Sequence, residues 1–163
     1  MQNINLSELS VRQLLTLHAS VPSELRRRGI TRTSNVVSCI SERIVAAGLD
    51  LDLATPSERD IDAVDRRTGD TYQVKARMLA GAGTAPSFRQ LGDCNLPIRW
   101  DYLAGVLFAP DFSVYRAALL SRVAFERLSR KRSEQTQTLY LTDAVLADSN
   151  VHDITAELRA VEL

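Results

Sequence analysis

Residues 102–109, "YLAGVLFA", form an unbroken apolar run. A strand wetted on one face alternates apolar and polar residues. This run does not alternate, so it reads as a central strand covered on both faces. Such a strand needs neighbours in a sheet and a layer of structure on each side. The flanking sequence offers both. After a turn at Pro110-Asp111, "FSVYRAALL" reads as the next strand, and Ser121 is placed to cap a helix in "RVAFERLSRKR". "TLYLT" reads as a late strand, and Asp153 as the cap of a last helix, "ITAELRAV".

Upstream, residues 34–48, "SNVVSCISERIVAAG", carry an apolar stripe of Val36, Val37, Ile40, Ile44 and Val45. Ser34 or Asn35 opens this helix and Gly48 ends it. "LDLATP" reads as a short strand, and residues 60–65 and 71–78 as a hairpin through "RRTGD", with Gly69 taking the positive φ of the turn. The fold expected is α/β, a mixed central β-sheet flanked by helices. Before it, residues 6–18 space leucines helically, Ser20-Val21-Pro22-Ser23 is expected to interrupt, and "SELRRRG" to form a second short helix between Ser23 and Gly29. The expected division is an N-terminal helical extension over residues 1–33 and an α/β domain over residues 34–163.

The chain of 163 residues carries 20 Lys+Arg against 20 Asp+Glu. Zero net charge argues against a nonspecific nucleic-acid coat but allows a local basic groove. Clusters at Arg26, Arg27, Arg28 and Arg32, and at Arg127, Arg130, Lys131 and Arg132, are candidates for one. No run approaches the roughly 18 apolar residues of a membrane span, and "MQNINLSELSVRQLL" has no secretory pattern. A cytoplasmic protein is expected, with Cys39 and Cys94 as two free buried thiols. His18 and His152 stand alone, so no histidine-based metal site is expected.

The stretch most suggestive of chemistry is residues 60–77, "DIDAVDRRTGDTYQVKAR", which holds Lys75, one of two lysines beside 18 arginines. Strand alternation puts Gln73, Lys75 and Arg77 on one face. A turn centred near Thr68-Gly69 would set Asp62 opposite Lys75 and diagonal to Gln73. The unit is either a solvated polar hairpin or a site where a carboxylate, an amide oxygen and an ammonium meet. The second arrangement suits a hard divalent cation with an attacking water: magnesium takes one or two carboxylates plus waters and substrate phosphate oxygens. Lys75 would orient that water or hold charge at the phosphorus, a task for which arginine's planar fork is a poor substitute.

This pattern resembles the restriction-endonuclease-like nuclease superfamily with its PD-(D/E)xK motif. Asp62 matches the motif aspartate, Gln73-Val74-Lys75 the (D/E)xK triplet, and Glu42 the helical glutamate of many members. The QxK variants, similar to Mrr-type restriction nucleases, are the nearest in pattern. Arg32-Thr33-Ser34-Asn35 and Trp100-Asp101 match outer marks of similar sequences. The resemblance covers about residues 34–125 and implies a restriction endonuclease-like core. The implied activity is an Mg-dependent endodeoxyribonuclease of restriction or phage-defence type, using Mg2+ (or Mn2+). Asp62, Gln73 and the Val74 carbonyl would hold the metal, Glu42 would act through water, and Lys75 would position the nucleophile. Gln73 departs from the acidic consensus, no proline precedes Asp62, and Asp60, of the same parity, could replace Asp62. The alternative is a catalytically inactive nuclease-fold module binding DNA or protein.

Arg32, Asn35, Arg77, Arg89 and Arg99 are the expected nucleic-acid contacts. Arg89 and Arg99 sit on a Gly-, Ala- and Pro-rich segment, residues 79–99, expected to face the substrate. Cutting two strands takes two sites, so a homodimer through the leucine stripe of residues 6–28 is expected. Any methyltransferase or defence partner would be a separate chain.

Overall fold

In the computed structural model, residues 4–55, 58–81, 85 and 89–162 are described. The chain divides into two compact units, Met1–Ile40 and Ser41–Leu163.

The first unit begins with a 3-10 turn at Leu6–Glu8 and continues in helix α1, Val11–Arg27. Ser10 caps α1 in a capping box with Gln13, satisfying donors at the helix start. The expected break at Ser20-Val21-Pro22-Ser23 does not occur: α1 runs through Pro22. Proline removes one intrahelical bond, but the turns on either side hold. Glu24 takes bonds from Arg27 at 2.7 and 2.8 Å and from Arg28 at 2.7 Å. These pairs fasten the stretch expected to be a separate helix, and Gly29, at φ +71°, ends it as expected. Helix α2 spans Val36–Gly48. Asn35 Oδ1 accepts from the Ser38 amide at 3.1 Å, so Asn35 is a cap.

The second unit holds β1 (Asp52–Leu53), β2 (Ala63–Val64), β3 (Thr71–Met78), β4 (Cys94–Asn95), β5 (Tyr102–Phe108) and β6 (Val114–Ser121). Then come α3 (Arg122–Leu128), β7 (Arg130–Lys131), β8 (Thr136–Thr138), α4 (Asp143–Leu146), β9 (Val151–Asp153) and α5 (Thr155–Arg159). The protein is α/β: a six-stranded sheet ordered β1-β2-β3-β5-β6-β9, with a small sheet ordered β4-β8-β7. The large sheet is mixed, because β3 and β5 run parallel while β2–β3 and β5–β6 are antiparallel.

The apolar run behaves as expected. Leu103, Ala104, Val106, Leu107 and Phe108 of β5 are all buried. Leu103 and Leu107 join Trp100, Leu120, Phe125 and Leu141 in one cluster, where the Trp100 and Phe125 rings meet edge to face at 5.1 Å. By alternation, Ala104, Val106 and Phe108 face the opposite layer. Gly48 lets α5 close on the end of α2: a Cβ there would stand 2.6 Å from Leu158 Cδ2.

Ser121 caps α3 through the Ala124 amide, but α3 stops at Leu128 and the basic segment beyond it enters β7. Asp153 ends a strand, and its carboxylate takes the Thr155 amide at 2.9 Å as α5 begins. The late strand falls at Thr136–Thr138, earlier than "TLYLT". Both expected free thiols, Cys39 and Cys94, are buried. Among the described residues no helix is long and apolar enough to cross a membrane.

Candidate functional site

The site is built on β3 and on the turn that feeds it. Asp65 opens that turn: its backbone N–H donates to Asp70 O at 3.0 Å, and its carbonyl accepts from Gly69 N at 2.8 Å. Gly69 adopts φ +80°. The turn is therefore centred one residue earlier than expected, and pairing runs Ala63↔Tyr72 and Val64↔Thr71. A one-residue shift of centre moves every cross-strand partner by two. Continued by one residue, this register sets Asp62 across from Gln73, not from Lys75. Parity is kept, so Asp62 stays on the face of Gln73 and Lys75.

The side chains confirm that register. The Gln73 amide donates to Asp62 Oδ2, and the Val74 N–H donates to the same oxygen at 2.7 Å. Gln73 is only 4% exposed, and its Oε1 is buried with no hydrogen-bond partner among the described residues. Burial pushes the Asp62 carboxyl above its ordinary range, the Glu42 carboxylate pushes it further, and the Val74 and Gln73 donors and the Lys75 ammonium pull back. Glu42 and Lys75 thus both lie within electrostatic reach of Asp62.

Asp60, the alternative ligand, sits at φ +64° before β2 begins. Its Oδ1 accepts from Asn95 Nδ2 at 2.7 Å. That bond ties the hairpin to β4 and leaves Asp62 as the carboxylate beside Gln73.

Part of the segment over residues 79–99 does return to the site. Leu91 lies on Gly105, where a Cβ would stand 2.6 Å from Leu91 Cδ1. A Cβ on Gly92 would be 3.5 Å from Lys75 Cδ, and Gly105 is the register partner of Lys75. Gly105 thus lets Leu91 pack onto the strand beside Lys75, and Gly92 lies near the lysine's aliphatic chain. Cys94, next along, has its thiol pushed up to about 11 by burial against the opposing pull of Lys75; it stays a neutral thiol. Residues 82–84 and 86–88 of the expected substrate-facing segment lie outside the described residues.

The expected nucleic-acid residues separate. Arg89 is 8% exposed and bonds Asp143 Oδ1 at 3.1 Å, so its charge is turned inward to a structural pair. Arg77 is half-buried, gives one N–H to the Gln90 carbonyl at 3.1 Å, and borders a cleft of about 350 Å³ with Gly92 and Asp93. Arg99 is exposed. Arg32 and the cap residue Asn35 belong to the first unit. Asp101 holds the sheet: its carboxylate takes the Thr71 N–H at 2.9 Å and hydroxyl at 2.7 Å, and its N–H returns to Thr71 O at 2.9 Å.

Sequence reading missed Gly92 and Cys94 as neighbours of Lys75, and Asn95 as the partner of Asp60. No local pattern marks them, because β4 is fixed by pairing with β8, Cys94↔Gln137.

Among the described residues no group of three or more His, Cys, Asp or Glu side chains is placed to hold a metal ion. The donors present are two carboxylates, Asp62 and Glu42, with the unpartnered Gln73 Oε1. That set fits a magnesium ion held largely by water and substrate oxygens, and does not fit an all-protein cage. No protein-family model and no curated protein matches the chain.

Proposed function

We propose that the protein is a magnesium-dependent endodeoxyribonuclease of restriction or phage-defence type, built on a restriction endonuclease-like core. The observation that carries this reading is the buried Gln73 Oε1 without a partner, beside an Asp62 whose burial and Glu42 neighbour oppose its ionisation. A buried acceptor left unpaired costs about 1–3 kcal/mol, and a cation would relieve both strains at once. The order helix α2, hairpin β2–β3, crossover, parallel β5 supports the same reading.

In this mechanism Asp62, Gln73 Oε1 and the Val74 carbonyl would hold the ion, and Glu42 would act through a water. When bound, Mg2+ or Mn2+ polarises a phosphoryl oxygen and lowers the pKa of its water. Lys75, held against Gly92, directs its ammonium at the attacking water and the charge growing on the phosphate. Asp62 is fixed by the Val74 N–H and the Gln73 amide, so the acceptor geometry is set before substrate arrives. Attack makes one P–O bond and breaks another, in line. Arg77 and Arg99 are the arginines offered to the DNA backbone. A methyltransferase or other defence partner would be a separate chain.

The test is cleavage of plasmid and linear DNA with magnesium or manganese by the wild type and by Lys75→Ala. Metal-dependent cutting lost with EDTA and with the substitution supports the reading. Cutting that survives either would overturn it.

One observation favours a second reading, an inactive nuclease-fold module that binds DNA or protein: with the neutral amide of Gln73, the described residues bring two carboxylates, Asp62 and Glu42, to the site. That module would bind DNA equally with and without EDTA. Gln73→Glu discriminates, since a gain of cleavage marks a degenerate site and a loss marks glutamine as the working ligand.

A further inference from the structure

Helix α1 buries none of its residues. Val11 is 73% exposed, Leu15 64%, Val21 48% and Leu14 37%. These are not scattered. Val11, His18 and Leu25 lie seven residues apart, Leu14 and Val21 likewise, and Leu15 stands beside them. Two interleaved heptad rows make one stripe of the kind that packs against another helix. Thr16, Ala19, Ser20 and Ser23 border it with small side chains, which admit close approach of a second backbone.

We infer that this stripe is the contact between two copies of the chain, paired antiparallel about a two-fold axis at His18. The stripe is nearly palindromic about that residue. Val11 faces Leu25 of the second copy, Leu14 faces Pro22, Leu15 faces Val21, and His18 faces its own symmetry mate. A helix of 17 residues is about 25 Å long, which gives room for every one of these layers.

Charge decides the orientation. The C-terminal end of α1 holds Arg26, Arg27 and Arg28 against the single Glu24, whereas its start has Glu8 just before the helix and Arg12 within it. A parallel pair would set the two triple-arginine ends together. The antiparallel register instead brings Glu8 to Arg28 and Arg12 to Glu24 of the other copy, and it opposes the two helix dipoles. Glu24 already bonds its own Arg27 and Arg28, and Arg12 of the second copy approaches that carboxylate from the open side. This inference stands on α1 alone and does not depend on the cleavage reading.

The experiment is sedimentation equilibrium of the full chain at 1–100 µM (roughly the range where modest helix pairs associate). The wild type is expected as a dimer. Leu15→Asp/Val21→Asp is expected as a monomer, with circular dichroism checking that it folds. Arg12→Glu, a change at an exposed position, should weaken dimerisation by about tenfold. Orientation is read with a short bis-maleimide cross-linker, since Cys39 and Cys94 are buried. His18→Cys should cross-link to its mate, Val11→Cys alone should not, and Val11→Cys/Leu25→Cys should. A monomeric wild type at 100 µM overturns the inference, as does a dimer indifferent to both surface variants. Efficient cross-linking of Val11→Cys alone overturns the antiparallel register.

Discussion

Four carboxylates of this protein fall into two groups. Asp101, Asp148 and Asp153 sit where elements join, and each receives donors. Thr71 serves Asp101, a two-pronged Arg127 at 2.8 Å serves Asp148, and the Thr155 amide serves Asp153. All three carboxyls are held below their ordinary range, with the Thr71 backbone bond first for Asp101, the Arg127 side chain first for Asp148 and the Thr155 side chain, then its amide, for Asp153. Asp62 is the opposite case. It also receives two donors, yet burial and Glu42 outweigh them and its carboxyl is pushed up. The first group strengthens the fold when ionised; ionising Asp62 works against the fold. A carboxyl placed where the fold disfavours its charge is a candidate for function.

The largest expected effect is on chemistry. If the proposed cleavage reading holds, Asp62→Ala should lower metal-dependent DNA cleavage by about 10³-fold or more, while Asp148→Ala should leave the rate within about twofold. Equal losses in single-turnover assays would erase the distinction between the groups. Next comes stability, with opposite signs. Asp101→Ala removes bonds that join the starts of β3 and β5, and should cost about 1–2 kcal/mol in urea unfolding. Asp62→Asn keeps an acceptor for the Val74 N–H and should raise the melting temperature at pH 7.5 in EDTA.

The pH dependence sharpens this further. Asp62 ionises above 3.8 when folded, so its stabilising contribution is present at low pH and lost as pH rises through the folded value. The advantage of Asp62→Asn should therefore appear near neutrality and vanish below pH 3.8. For Asp101 and Asp153, held below 3.8, the stabilisation is present above that value and lost as pH falls. A melting-temperature profile that shifts in parallel for Asp62→Asn and Asp101→Ala would break the comparison.

The smallest effect is at the end of α1. Arg27, then Arg28, draws the Glu24 carboxyl from 4.5 down to about 2. Its contribution is complete above 4.5 and fades as pH falls toward 2. Helicity of the full chain should dip slightly over that interval in the wild type, and Glu24→Gln should lack the dip.

The legible parts of the fold were those whose signal is local. The run at residues 102–109 announced a strand covered twice, Ser121 announced the start of α3, and Gly69 announced the hairpin turn. The illegible parts depend on distant partners. Strands β4, β7 and β8 are two or three residues long, too short for alternation to register, and exist because Cys94 meets Gln137 and Lys131 meets Gln137 from the other side. Arg89 looked like a surface cation because nothing near it in sequence reveals Asp143, 54 residues away. At the site, parity named the right face, but the exact partner of Asp62 hung on where a six-residue turn is centred. The interruption expected at Pro22 failed because proline weakens a helix without obliging it to stop.

The reciprocal bonds between Asp101 and Thr71 give the parallel pair β3–β5 a direction. One end of the ladder is fastened by the Asp101 carboxylate as well as by backbone, while the other is continued by the Leu79 N–H to the Phe108 carbonyl at 2.8 Å alone and adjoins a register shift toward β6. Opening of this pair should thus begin at Met78 and Phe108 and reach Thr71 last. Amide protons would be shed in that order during hydrogen exchange, with Gln73 among the slowest and Lys75 midway. The lysine then stands at the boundary between a fixed half-strand and one that breathes.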